Sequence, residues 1–259
     1  MTDSAQSTAA SNRPDPRLCL RTVRSWSAGF LLRHRAALLA TVFGVGLVHL
    51  RWWWSGFLEF AFLLWNLFLA WLPVLFADLL AGRLRSGTSP GPSPGNLALG
   101  AGWLLFFPNA PYLLTDVLHW RPRVGAPPWF DLLLLLHFAL LGTALGFTSL
   151  RTVRRCVAAA GRPPWTQVFT VTALALASFG VYLGRFQRFN SWDVLTAPTR
   201  LAADIASCVL RPWAHPHAWG FTLALTGLLL TLWWTWPAPA REVRPLRKGS
   251  SRTAPPHSA

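Results

Sequence analysis

Between Pro108 and His119 the chain reads Pro-Asn-Ala-Pro-Tyr-Leu-Leu-Thr-Asp-Val-Leu-His. If residues 111–120 are helical, Tyr112, Asp116 and His119 stand at i, i+4 and i+7 and share one face. A carboxylate and an imidazole three residues apart can hold one metal ion or form a carboxylate-oriented general base. An amphipathic interfacial helix with a wet face produces the same spacing. Asp131, in Trp129-Phe-Asp131, is the third candidate for acid–base work. It falls in the first turn of a helix, where a negative charge already complements the helix dipole by about 0.3–1 kcal/mol.

A second constellation is Gly184-Arg185-Phe-Gln-Arg188-Phe-Asn190-Ser-Trp-Asp193. The forks of Arg185 and Arg188 suit a phosphate or carboxylate ligand. They suit equally an ion pair with Asp116, Asp131 or Glu59. Asn190 and Asp193 have the spacing of a helix N-cap and a capping-box partner. The candidate catalytic residues are therefore Asp116, His119 and Asp131, with Asp116 and His119 as the metal pair. Asn109, Tyr112, Arg185, Arg188, Asn190, Asp193 and Glu59 are the candidate ligand-binding residues. No P-loop, zinc-protease, nucleophile-elbow or dinucleotide fingerprint occurs, so the sequence names no cofactor.

The elements that must position these residues are membrane helices. Charged residues make up only 13% of the 259-residue chain and apolar residues 53%. A soluble domain carries about 25% charged residues, so lipid is the main solvent here. Six apolar segments follow one another, near 36–54, 56–80, 97–120, 129–150, 165–186 and 218–236. Each has the length of a bilayer crossing, for which about 20 residues are needed. The third is irregular. Leu97 to Phe107 rises only about 16 Å, half a bilayer, before Pro108 and Pro111 remove two backbone donors. This predicts a broken or sharply kinked third helix, surrounded by protein or a wet cavity.

The charge is +15, from 24 basic and 9 acidic residues. Basic residues between apolar runs follow the positive-inside rule and do not form the basic face of a nucleic-acid binder. With both termini in the cytoplasm, seventeen of the 24 lie inside. Arg51, Arg121, Arg123, Arg185, Arg188, Arg200 and Arg211 lie outside. Glu59, Asp116, Asp131, Asp193 and Asp204 then fall on the outer face as well, so the reactive side chains gather on one side. The expected fold is an all-α, six-helix transmembrane bundle with a broken third helix, N-in and C-in, over residues 36–236. Residues 1–35 read as a disordered start and a basic juxtamembrane segment. Residues 237–259 read as a disordered basic tail, and 86–95 as a flexible linker. The bilayer is the implied partner, with anionic inner-leaflet lipids under the basic tails.

Deeper in the membrane, Asn66 and His137 sit at similar depth, which predicts a hydrogen bond between the second and fourth segments. Glu59 is expected on the Asn66 face. Gly142-x-x-x-Gly146 and Gly180-x-x-x-Gly184 permit close helix approach. Cys19, Cys156 and Cys208 have neither zinc nor disulfide spacing.

Four stretches carry a resemblance: Leu64-Trp-Asn-Leu-Phe-Leu-Ala-Trp71, Phe106 to His119, Trp129-Phe-Asp-Leu-Leu-Leu-Leu135, and Tyr182 to Asp193. Through them the chain resembles a bacterial family of multi-pass membrane proteins classed as a domain of unknown function. The resemblance covers about residues 36–236. It implies a bacterial plasma-membrane protein and no particular activity. Three readings follow from the residues. One is an outer-face membrane enzyme acting on a lipid or envelope substrate. Another is a transporter with His137 and Asn66 at its midplane. The last is a structural or assembly protein whose polar residues form an internal salt-bridge network. The metal form of the first predicts stoichiometric zinc or manganese in the purified protein, lost in His119→Ala. Elemental mass spectrometry checks it, and metal-free protein of both kinds would count against it.

Overall fold

Every regular element among the described residues is helical. The computed structural model describes residues 16–86, 93–121, 125–160 and 163–236. Residues 1–15 and 237–259, the expected disordered start and basic tail, lie outside them, as does most of the 86–95 linker. The helices are α1 (Pro16–Ser55), α2 (Ala61–Arg85), α3 (Pro94–Phe106), α4 (Asn109–Thr115) and α5 (Pro128–Ala159). They continue with α6 (Thr166–Arg185), α7 (Asp193–Thr196), α8 (Pro198–Leu210) and α9 (Pro216–Thr235). Six stretches are long and apolar enough to cross a membrane: Gly29–Ser55, α2, Pro94–His119, α5, α6 and α9. The chain is a multi-pass membrane protein, and an even number of crossings returns it to its starting side.

No break marks the expected boundary at residue 36, because α1 runs unbroken from Pro16. The second crossing starts later than expected. Gly56 takes a positive φ of 75° and turns the chain, and α2 begins only at Ala61. Glu59 therefore lies in the α1–α2 turn and not on the Asn66 face of a helix, because a residue in the left-handed region ends helical pairing.

The third crossing is kinked, as its prolines require, yet it is not unwound. Phe107 and Pro108 keep right-handed helical backbone angles. The missing donors are replaced locally. The N–H of Ala110 turns to the Phe107 carbonyl at 3.2 Å. The freed Phe106 carbonyl accepts the Asn109 side-chain amide at 3.0 Å, and the Leu105 carbonyl faces the Ser191 hydroxyl at 3.5 Å. Backbone groups buried in a bilayer must find such partners. After Thr115 the chain tightens into a 3-10 turn, Asp116–His119.

α4 is wedged between two helices by glycine. A Cβ on Gly142 of α5 would lie 2.5 Å from the Ala110 carbonyl oxygen, and one on Gly146 would lie 3.2 Å from the Ala110 methyl. On the other side, a Cβ on Gly180 of α6 would lie 2.6 Å from the Pro108 ring, and one on Gly184 3.2 Å from Tyr112. Both glycine pairs flagged in the sequence thus receive the same proline-kinked segment. Small residues let helices in lipid gain close van der Waals contact, which replaces the hydrophobic drive absent there.

α5 is the central element. One core packs α1, α2 and α4 against it through Leu63, Leu134, Phe138 and Leu113. A second joins α3, α5, α6 and α9 through Trp103, Phe147, Leu174 and Leu229. The predicted Asn66–His137 bond does not form. His137 bonds the Ala40 carbonyl of α1 at 2.9 Å, seated over Gly44. Asn66 donates instead to Asp116 at 3.1 Å. Equal depth did not mean a shared face: α5 turns His137 towards α1, while α2 turns Asn66 towards the end of the third crossing.

Gly142→Ala is expected to lower stability by about 1–3 kcal/mol, the usual cost of overpacking a close contact. Gly227→Ala, where a Cβ meets nothing within 4 Å, serves as the neutral control. Thermal unfolding of both variants in detergent checks the difference.

Candidate functional site

The polar residues singled out in the sequence do meet at one end of the bundle, in two buried charge clusters and one cleft. The first cluster is built on Arg185, at the last turn of α6. Its Nη2 donates to Asp116 Oδ1 at 2.5 Å and to the Thr115 hydroxyl at 2.8 Å. Its Nη1 lies 3.3 Å from His119 Nδ1. A guanidinium can only donate, so that imidazole nitrogen accepts. The guanidinium carbon stands 4.0 Å from the centre of the Tyr112 ring, a cation–π contact. Asp116 is fully buried, and its second oxygen accepts from Asn66. Tyr112, Asp116 and His119 thus share a neighbourhood, as their spacing predicts, but the object they surround is Arg185.

The expected carboxylate–imidazole contact is not a hydrogen bond, since Asp116 Oδ1 and His119 Nδ1 lie 3.9 Å apart. A metal ion on this pair would have to displace Arg185 from both. Among the described residues no group of three or more His, Cys, Asp or Glu is placed to hold a metal.

The second cluster carries Asp131. Arg51 of α1 grips it with both arms of its fork, Nε to Oδ1 at 2.6 Å and Nη2 to Oδ2 at 3.3 Å. Both side chains are 1% exposed. Glu59, in the α1–α2 turn, approaches Arg51 Nη2 at 3.5 Å. Asp131 does occupy the first turn of α5. The helix dipole is therefore only part of its setting, and Arg51 is the partner that the sequence left unassigned. Its signal was present: an arginine inside the end of an apolar run has to be paired to be tolerated.

A third buried carboxylate lies at the opposite end. Asp78 of α2 accepts from Arg33 Nη1 at 2.7 Å and meets His34 Nε2 at 2.9 Å, which ties α1 to α2. Arg33 and His34 read in the sequence as juxtamembrane, but α1 carries them into the bundle.

The remaining candidates surround the cleft. α6 ends at Arg185, and the chain folds back so that the Phe189 N–H reaches the Leu183 carbonyl at 3.1 Å. Asp193 Oδ2 accepts the Asn190 backbone N–H at 2.6 Å, the reaching-back arm of a capping box, and Oδ1 accepts from Thr196 at 2.9 Å. The first of these bonds, then the second, holds the Asp193 carboxyl below its ordinary value. Its support of the turn is present above the ordinary carboxylate range and is lost as pH falls through that lowered pKa. The N-cap position of α7 is taken by Trp192, not Asn190, and carries no side-chain cap. Arg188 is exposed and takes a positive φ of 62°.

The cleft has a volume of about 270 Å³ and is bounded by α2, the kink of the third crossing, α6 and the 189–205 segment. Its apolar lining includes Leu69, Leu104, Leu183, Leu201 and Ile205. Asn66, Asn109, Tyr112, Asn190 and Ser191 supply the polar groups. Asn109 Nδ2 bonds Ser191 Oγ at 3.0 Å, linking the kink to the returning loop. Gly180 and Gly184 line it as well. Asn109, Tyr112 and Asn190, expected as ligand contacts, all line this space, whereas Arg185, Asp193 and Glu59 are engaged elsewhere.

The family described as "Protein of unknown function (DUF1361)" matches residues 65–232. No curated protein and no solved structure matches the chain.

Removing one partner of a buried ion pair leaves the other charge stranded, at a cost of about 3–5 kcal/mol. Asp116→Asn and Arg185→Gln are each expected to lose most of their folded yield, and Asp116→Leu with Arg185→Met to recover it. The monodisperse peak in size-exclusion chromatography reads the outcome.

Proposed function

We propose, from the premise that the chain belongs to the DUF1361 family of proteins of unknown function, that it binds an amphipathic, lipid-like molecule in this cleft. The cleft lies on the face that the arginine distribution assigns to the outside. The resemblance in the sequence supports a bacterial plasma membrane as the setting. One observation carries the reading: a cavity among the outer ends of the helices is lined by leucine and isoleucine together with amide, hydroxyl and phenol groups. Ligand pockets combine a mostly apolar lining with a few placed polar groups.

The charge clusters support a binding role over an acid–base centre. Each oxygen of Asp116 and Asp131 accepts from an arginine or an amide. Such carboxylates brace helices, and neither lines the cleft. The internal salt-bridge network considered as an alternative then becomes the frame that holds the cleft open. His137, the midplane residue of the transport reading, links α5 to α1 and does not line this space.

Native mass spectrometry of protein released gently from detergent tests the proposal. Wild type is expected to retain one lipid-sized adduct. Leu201→Trp, which fills the cleft from α8, is expected to lose it while melting within a few degrees of wild type. An adduct retained equally by the variant would sink the reading.

A further inference from the structure

We infer that the molecule bound in the cleft carries an acidic headgroup, a phosphate or carboxylate, recognised by Arg188 and Arg200; the inference rests on the cleft reading above. Arginine on the outer face runs against the positive-inside rule. Arg51 and Arg185 are paired with Asp131 and Asp116. Arg188 and Arg200 form no ion pair or hydrogen bond among the described residues.

Their position is specific. Arg188 immediately precedes Phe189, Asn190 and Ser191, which line the cleft, and Arg200 immediately precedes Leu201, which also lines it. The Arg200 guanidinium lies 5.2 Å from the centre of the Phe189 ring. Neither guanidinium lines the cavity itself; each arginine adjoins a residue that does, and Arg200 also meets the Phe189 ring. The nearby acids do not neutralise them by contact. Asp193 feels the Arg200 charge without touching it, its oxygens accepting from the Asn190 N–H and Thr196, and Asp204 forms no ion pair among the described residues. Arg188 also holds its left-handed backbone with a Cβ, which glycine would do without strain. An L-residue there costs about 1–2 kcal/mol.

The surroundings favour an amphiphile over a soluble anion. The fifth crossing ends at Arg185 and the sixth begins at Pro216, so the α7–α8 segment between them starts and ends at one membrane face. α8 turns Leu201, Ile205 and Cys208 inward, while Leu195, Leu210 and Trp213 are 71–84% exposed. Exposed leucine and tryptophan at that level enter the headgroup and upper acyl region. A lipid phosphate lies at the same level, and a guanidinium fork matches it.

The test is a thermal-shift titration of the purified full-length protein in detergent. The additives are phosphatidylglycerol, phosphatidylcholine and inorganic phosphate; the proteins are wild type, Arg188→Gln, Arg200→Gln and Arg188→Gly. Wild type is expected to be stabilised by phosphatidylglycerol at about tenfold lower concentration than by phosphatidylcholine. Each arginine variant is expected to lose about that tenfold preference, the size of one charge-assisted hydrogen bond. Arg188→Gly, whose backbone suits φ 62°, should melt no lower than wild type without lipid, which separates recognition from folding. Equal stabilisation of wild type by both lipids overturns the acidic headgroup and leaves the cleft reading standing. Stabilisation by neither lipid overturns the cleft reading itself. An unchanged preference in the arginine variants overturns their role. Stabilisation by inorganic phosphate matching that by phosphatidylglycerol overturns the amphiphile in favour of a free anion.

Discussion

The architecture turns on one close approach. The segment Pro108–Thr115 fits between α5 and α6 only because Gly142, Gly146, Gly180 and Gly184 have no side chains. Two prolines had already cost this crossing its regular hydrogen bonds. In lipid the freed carbonyls must be met by protein, and close packing brings that protein within reach. Asn109 and Ser191 meet them. The kink, the glycine pairs and the returning loop after α6 are therefore one structural unit.

That unit explains where the charges go. With α4 pressed against α6, the last turn of α6 faces the 3-10 turn that ends the third crossing. Arg185 then reaches Asp116, Thr115, His119 and the Tyr112 ring together. The guanidinium is satisfied on several sides, as an ion at this depth has to be. The Arg51–Asp131 pair does the same work between α1 and α5. Asp78 with Arg33 and His34 does it at the far end. Three buried carboxylates thus tie α1 to α2, α1 to α5 and the third crossing to α6. The cleft is the space left where α2, the kink, α6 and α8 fail to close.

The third crossing shows how a strong local signal can be right in kind and incomplete in form. Two prolines three residues apart predict a departure from a straight helix, and the departure is there. Whether the backbone unwinds or merely kinks depends on whether neighbours supply replacement acceptors and donors. Asn109 lies within the motif, but Ser191 is some eighty residues away. Glu59 is a similar case. Its spacing from Asn66 suits one helix face, and a single glycine at φ 75° removes it from the helix.

The sequence by itself determined the solvent, the number of crossings, the place of the kink and the end of the bundle where reactive side chains collect. Those properties depend on composition and on residues near one another along the chain: apolar length, proline, and the bias of arginine. It also carried the close-packing glycines, although their partner was not readable. Only the tertiary structure decided which charge meets which. Asp116 could have paired with Arg185 or Arg188, and Asp131 with either of them or with Arg51. Apolar helices show no period that reveals which face turns inward, because lipid and core are equally oily. The rotation of each helix is set by contacts such as Ala110 on Gly142. Those contacts place Asn66 beside Asp116, turn His137 to Ala40, and leave an amphipathic cleft that no single stretch of the chain describes.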